Sequence, residues 1–434
     1  MIRIELQCLV TQAAHGEIGR RRPLLAESRL SNPAILGRCL SVSSIIELPI
    51  QPLYPRLKSC CSGLAMRVIV IGGLGNYGAR ICQRLSKVSG LTVIAACRKP
   101  RTGTHTFASG QTVSTLAIDI NSADFETRLV QAAPRLVIHC AGPFQGQDYR
   151  VALASCAAGA HYLDLADGRD FVANFAAHVD ASAKAAGVLA VSGASSVPGL
   201  SSAVVDHLAK TLLRLNSIST VIAPGQQAAR GIATISAVFG YAGIAFARWN
   251  SAAWGVHYGW QDIRRFTFSG LSPRWGAACD VPDLALFPGR YPGIRDVEFH
   301  AALELRIQHV ALWLAAVAAR IGLPMPINRW VARLNAISNL ILDRFGSDVG
   351  AMKVEVTGSL EGGGQRRLTW QLTAPNGNGP EIPCMASVLL ACKLADGELS
   401  LTGALPCMGL LKLEEFDAEF LRWDITSDIA EEIL

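Results

Sequence analysis

A chain of 434 residues, 50% hydrophobic and 17% charged, is long enough to bury more than one core. Eight Lys/Arg against four Asp/Glu lie in residues 1–65, leaving 32 against 30 in the remainder, so most of the formal +6 is terminal. The nearly neutral body excludes the basic footprint of a nucleic-acid-binding protein.

The first 65 residues show no sustained helical or strand period. Arg20-Arg21-Arg22 and several prolines do not follow the basic, apolar, small-residue order of a signal peptide, and Glu5 and Glu17 count against a transit peptide. A poorly ordered extension is expected, with Met66 as the functional beginning.

From Met66 short apolar runs alternate with helical patterns. Strands are expected at 68–71, 91–97, 112–118, 136–140, 161–165 and 188–191, and helices at 77–88, 123–133, 149–158 and 170–186. Strands flanked by helices imply a mostly parallel sheet covered on both faces. This is a doubly wound α/β fold of Rossmann type, which binds ligands beyond the carboxyl ends of its strands.

Gly73-Leu74-Gly75-Asn76-Tyr77-Gly78 directly follows the first strand and opens the first helix, matching G-x-G-x-x-G. Gly73 is expected to permit the tight turn, Gly75 to let the backbone approach a pyrophosphate, and Gly78 to let the helix pack on the sheet. With Gly72 before it, this turn offers helix N–H groups and a positive dipole end to phosphates. The second strand ends in Cys97-Arg98-Lys99, where an NAD protein usually carries Asp or Glu. Two cations and no carboxylate suit a 2′-phosphate, so NADP is the expected cofactor; an ordinary solvated basic turn is the alternative. Asp119, past the third strand, is expected near the adenine.

The stretch from Leu136 to Gly168, with Gly142-Pro143-Phe144 after the fourth strand and His161-Tyr162-Leu163-Asp164 on the fifth, resembles the saccharopine dehydrogenase-like family of NADP-binding oxidoreductases. Ser192–Leu208 is similar to that family's passage into its second domain, and 379–409 to the C-terminal signature of an uncharacterised bacterial branch. The resemblance implies an NADP-binding domain at 66–200, followed at 201–434 by an α+β substrate and dimerisation domain with an extended sheet. It also implies that Gly142, Pro143 and Phe144 lie beside the nicotinamide half of the cofactor. Phe144 either packs on the ribose or nicotinamide or fills the domain junction. Val197-Pro198-Gly199-Leu200-Ser201-Ser202 departs from the Asp-Pro-Gly-Ile-Asp-His of true saccharopine reductases. The loss of both acidic positions argues against an aminoadipate-type substrate.

Beyond Leu200, strands are expected at 217–223 and 296–303, a hairpin at 353–359 and 367–373, and helices at 307–320 and 329–342. Hydride addition to a C=O or C=N bond requires a proton donor. Tyr241, His257 and Tyr258 are the candidates, each weighed against an ordinary role in a packed core. Asp164 and Asp167-Gly168-Arg169 stand at the ligand end of the fifth strand, to hold substrate, to orient a catalytic group or to pair and shape the loop.

No Ser/His/Asp order, P-loop lysine or metal-ligand spacing is present, and the twelve cysteines include no CxxC pair. Reduced thiols in a cytoplasmic protein are expected. The leading reading is an NADP(H)-dependent oxidoreductase acting on a small-molecule carbonyl, imine or alkene, with a homodimer as an open assembly state. The competing reading is a non-catalytic NADP-binding sensor, or a scaffold in peripheral contact with a membrane.

Overall fold

The computed structural model describes residues 65–100, 103–229, 240–323 and 342–434. The N-terminal extension, apart from Ala65, and almost all of the helix expected at 329–342 lie outside them.

Sheet A carries β1 (Met66–Ile71), β2 (Leu91–Cys97), β3 (Thr104–Thr106), β4 (Thr112–Ala117), β5 (Leu136–His139), β6 (His161–Asp164) and β7 (Leu189–Ser192). With β16 (Gly403–Pro406) added from the far end of the chain, its order is β16-β7-β6-β5-β1-β2-β4-β3, parallel except for the short β3–β4 pair. Strand order reverses at β1, which has β2 on one side and β5 on the other; this is the switch point at which doubly wound sheets open a ligand crevice.

The helices α1 (Asn76–Leu85), α2 (Phe125–Gln131), α3 (Arg150–Ala157) and α4 (Arg169–Ala186) cross between these strands. Val68 and Val70 of β1 face one core with Ile81 and Leu85 of α1, while Ile69 and Ile71 face another with Leu129, Val151 and Phe175. Burial on both faces explains why β1 reads as a continuous apolar run instead of alternating.

A turn of π-helix at Ser196–Leu200 leads into α5 (Ser201–Ala209) and the second sheet. Sheet B comprises β8 (Arg214–Ala223), β11 (Arg264–Phe268), β12 (Leu271–Ala278), β13 (Asp296–Leu303), β14 (Gly350–Ser359), β15 (Gln365–Ala374) and β17 (Thr426–Ile433). Its order is β11-β12-β13-β8-β14-β15-β17, antiparallel except between β13 and β8. The hairpin expected near 353–373 is β14–β15. The segment 240–281, where no strands were expected, supplies β11, β12 and a separate hairpin of β9 (Ala245–Asn250) and β10 (Ala253–Tyr258). The helices α6 (Pro282–Arg290) and α7 (Arg306–Arg320) flank β13 in the chain.

The C-terminal part returns to sheet A. The strand β16 (Gly403–Pro406) adds a parallel strand beside β7, preceded by α8 (Ile382–Ala395) and followed by α9 (Leu413–Arg422). Apolar around much of its circumference, α8 is buried in the larger core, as such a helix must be. Arg80 and Arg84 of α1 make ion pairs with Glu381 and Glu419. The Arg84–Glu419 pair is buried, so removing either partner would strand a charge at a cost of about 3–5 kcal/mol.

Candidate active site

Ile71, Ala96, Cys97, Ile118, Cys140 and Leu165, all at or just past the carboxyl ends of parallel strands, line a cleft of about 790 Å³. Gly72, Leu74, Gly75, Asn76 and Tyr77 form its floor, Arg98 and Asp119 stand at one end, and Gly142, Pro143, Phe144 and Asp167 at the other. The structure thus brings most of the predicted cofactor residues to one crevice; Gly73, Gly78 and Lys99 are not among those lining it.

The glycines divide their work differently from expectation. The positive φ of the turn falls at Gly72 (76°), not at Gly73. A Cβ at Gly73 would lie 2.8 Å from both the Ala95 Cα and the Val70 carbonyl oxygen, so this residue is glycine for strand packing. At Gly78 a Cβ would come within 2.2 Å of the Gly72 carbonyl oxygen, which is the close helix approach expected of the third glycine. A Cβ at Gly75 would meet only the Gly72 carbonyl oxygen, at 3.1 Å, and would otherwise project into free space.

In α1 the helical ladder starts with Ala79 N–H donating to the Gly75 carbonyl, with no side-chain cap and no acidic residue in the first turn. A helix start of this kind directs amide hydrogens outward. The free space beside Gly75 and the uncapped helix end together fit a pyrophosphate, and exposed Arg98 fits an additional phosphate on the adenosine ribose. Asp119 accepts the Asn121 N–H at 3.0 Å, closing the turn at that end of the cleft.

At the other end, Gln147 donates to the carbonyls of Ala141 and Pro143 at 2.9 and 2.6 Å, holding the Gly142-Pro143 turn from beneath. Phe144 is only 4% exposed and packs on His139 and Phe171, at centroid distances of 5.0 and 5.4 Å. Its ring is therefore mainly a core element of the nucleotide-binding domain that also borders the cleft. Burial pushes the His139 imidazole down to about 4, which keeps it neutral.

Asp164 is fully buried and accepts from Gly193 N–H (2.7 Å), Ala166 N–H (2.9 Å) and Ser192 Oγ (3.0 Å), pinning the end of β6 to β7. Desolvation pushes its carboxyl up to about 6 against those bonds. Arg169 pairs neither with Asp164 nor with Asp167. It donates to Asp280 at 3.0 Å and to the Ala247 carbonyl at 2.5 Å, tying the start of α4 to the segment after β12 and to β9.

The three proton-donor candidates part company. His257 is bound to Asp262 at 2.7 Å, and Tyr258 lies under the Arg320 guanidinium at 4.0 Å. Tyr241 is linked to the cleft through Gln145, whose Nε2 donates to its phenolic oxygen at 3.0 Å and to Oδ1 of the cleft-lining Asp167 at 3.3 Å. With Gln145 as donor, the Tyr241 O–H hydrogen is directed elsewhere. Burial, reinforced by Asp167 and Asp280, holds this phenol above its ordinary range despite the Gln145 bond, so it stays protonated at neutral pH. Burial likewise raises Asp167. The role of Gln145 was missed in sequence; its one local signal is its place directly after Gly-Pro-Phe.

Among the described residues no group of three His, Cys, Asp or Glu is placed to hold a metal, and no helix is long and apolar enough to cross a membrane.

Residues 68–191 match the family model described as the saccharopine dehydrogenase NADP binding domain. No match is found among curated proteins. Of solved structures, the apo form of saccharopine dehydrogenase (L-Glu forming) from Saccharomyces cerevisiae aligns with a TM-score of 0.59 at 10% identity, covering 85% of this chain and 100% of that one. A homospermidine synthase from Legionella pneumophila, in complex with NAD, aligns with a TM-score of 0.54 at 10% identity, covering 85% and 91%. At such identities the likeness establishes a shared fold across both sheets.

Proposed function

Because this chain belongs to the saccharopine dehydrogenase-like NADP-binding family, we propose that it is an NADP(H)-dependent oxidoreductase acting on a small-molecule carbonyl, imine or activated alkene. The observation that carries this reading is the single cleft joining Arg98, the glycine turn and the Gly142–Phe144 loop, with Tyr241 linked through Gln145 to Asp167 in its lining.

The cofactor, when bound, supplies the hydride; the protein supplies orientation and electrostatics. Arg98 holds the adenosine 2′-phosphate, and the start of α1 holds the pyrophosphate. The turn kept in place by Gln147 orients the nicotinamide end. Tyr241, protonated and fixed by Gln145, delivers the proton that neutralises the developing anion. The missing acidic positions at Val197 and Ser201 favour a substrate other than an aminoadipate-type amino acid.

The test is to incubate the purified chain with NADPH and fractionated metabolite pools, following nicotinamide absorbance and identifying products by mass spectrometry. Pool-dependent oxidation of NADPH is expected. NADPH binding without consumption in any pool would favour a non-catalytic sensor instead.

A further inference from the structure

A helix at the surface of a globular protein buries one apolar stripe and turns polar residues outward. The helix α7 departs from that pattern. His309, Leu312 and Ala316 form its buried stripe, which packs on Trp260 and Ala277. At about 3.6 residues per turn, the opposite side carries Ile307, Val310, Ala311, Leu314, Val317 and Ala318, with no polar residue among them. Ile307, Val310 and Leu314 are 68%, 40% and 54% exposed, and Ile321 and Leu323, just past the last turn, are 69% and 55% exposed.

The charge around this face has one sign. Residues 305–342 contain four Arg and no Asp or Glu. Arg306, Trp313 and Arg320 recur at intervals of seven along one border of the apolar side. Both arginines are exposed, and each lies over an aromatic ring, Arg306 over Trp275 at 5.8 Å and Arg320 over Tyr258 at 4.0 Å. Glu304, just before the helix, is already engaged: it accepts from Gln226 N–H and Ser347 N–H and pairs with Arg274 at 3.4 Å.

The loop that carries Tyr241 runs against the last turns of α7. A Cβ at Gly243 would lie 2.3 Å from the Ala316 carbonyl oxygen, and exposed Ile244 follows it. At 15 residues α7 is shorter than the roughly 20 that cross a bilayer, so any contact with lipid is in the plane of the interface.

We infer that the outer face of α7 docks on an anionic lipid surface. Ile307, Val310, Leu314, Ile321 and Leu323 enter the boundary between headgroups and acyl chains, while Arg306 and Arg320 remain at headgroup level. Apolar burial supplies the adhesion, and the acid-free positive border selects anionic headgroups. Trp313, between the two arginines, has the apolar body and polar N–H that favour this depth. The contact uses no residue of the cofactor cleft.

Co-sedimentation of the full chain with vesicles tests this, comparing equal parts phosphatidylglycerol and phosphatidylcholine with phosphatidylcholine alone. Binding to the anionic vesicles is expected to be the stronger and to fall as salt is raised. An I307Q/L314Q variant with an unchanged melting temperature should bind them at least about 10-fold more weakly. Hydroxyl-radical footprinting of the unaltered chain decides the matter if the variant fails to fold. Ile307, Leu314, Ile321 and Leu323 should be oxidised in the free chain and shielded on anionic vesicles. Shielding of these residues without vesicles would mean that residues 324–341 or a second copy cover the face, and overturns the proposal. So does a lack of binding to anionic vesicles, equal binding to both compositions, or a folded variant that binds as well as the unaltered chain.

Discussion

His139 and Asp164 are register partners on the adjacent strands β5 and β6, and burial drives their titrations in opposite directions. Desolvation pushes His139 down to about 4 from an ordinary value near 6.5, and Asp164 up to about 6 from near 3.8. Between those values the unfolded chain binds the histidine proton more readily and the aspartate proton less readily than the folded chain. His139 therefore contributes stability that is full above pH 6.5 and lost as pH falls toward 4. Asp164 contributes stability that is full below pH 3.8 and lost as pH rises toward 6. Each effect reaches about 3 kcal/mol at most, so the two largely offset one another between pH 4 and 6. In urea denaturation at a series of pH values, Asp164→Asn should gain stability relative to the unaltered chain as pH rises over that interval. His139→Leu should lose it. Parallel pH profiles for both variants would show that neither group titrates as described.

The glycine turn separates folding from binding. Gly78→Ala places a methyl group 2.2 Å from the Gly72 carbonyl oxygen and should lower the melting temperature by several degrees or more. Gly75→Val projects into the space assigned to the pyrophosphate, against a single neighbour at 3.1 Å. It should reduce NADPH affinity by at least about 100-fold, roughly 3 kcal/mol, with a much smaller change in melting temperature. Calorimetry showing unchanged NADPH affinity in Gly75→Val would remove the assignment of the cleft.

Cofactor choice rests on Arg98, which lines the cleft. A charge-assisted contact to a 2′-phosphate is worth about 1.5–3 kcal/mol, so NADPH should bind roughly 10- to 150-fold more tightly than NADH. Arg98→Ala should erase most of that preference while scarcely altering NADH affinity. Equal losses for both cofactors would make Arg98 structural.

Tyr241 and NADPH affinity should be separable, because the phenol does not line the cleft and is linked through Gln145 to Asp167, which does. Once a substrate is found, Tyr241→Phe should slow turnover by about 10²- to 10⁴-fold with NADPH affinity within a factor of two. Gln145→Leu should slow turnover less, and Gln145→Asn should not restore it because the shorter amide cannot span Asp167 and Tyr241. Full activity of Tyr241→Phe would pass the role of proton donor to another group.

Local pattern carried the nucleotide-binding half of this chain. The strands at 91–97 and 136–139 and the helix at 169–186 lie within a residue of the ranges read from periodicity, because each buries a face set by its own sequence. The glycine spacing and the basic end of β2 were equally legible, since turn geometry and charge are properties of neighbouring residues. What local pattern could not reach were pairings between distant segments. The four-residue β16 becomes a strand because β7 offers an open edge, its register partners lying 214 residues earlier, and nothing in Gly-Ala-Leu-Pro specifies that partner. Tyr241 was separable from His257 and Tyr258 only once Gln145, 96 residues away, was seen to hold it. The sequence by itself determined the glycine turn and the basic end of β2; the tertiary structure decided which distant side chains meet them around one cleft, because hydrogen bonds and edges are satisfied by proximity in space and not by order along the chain.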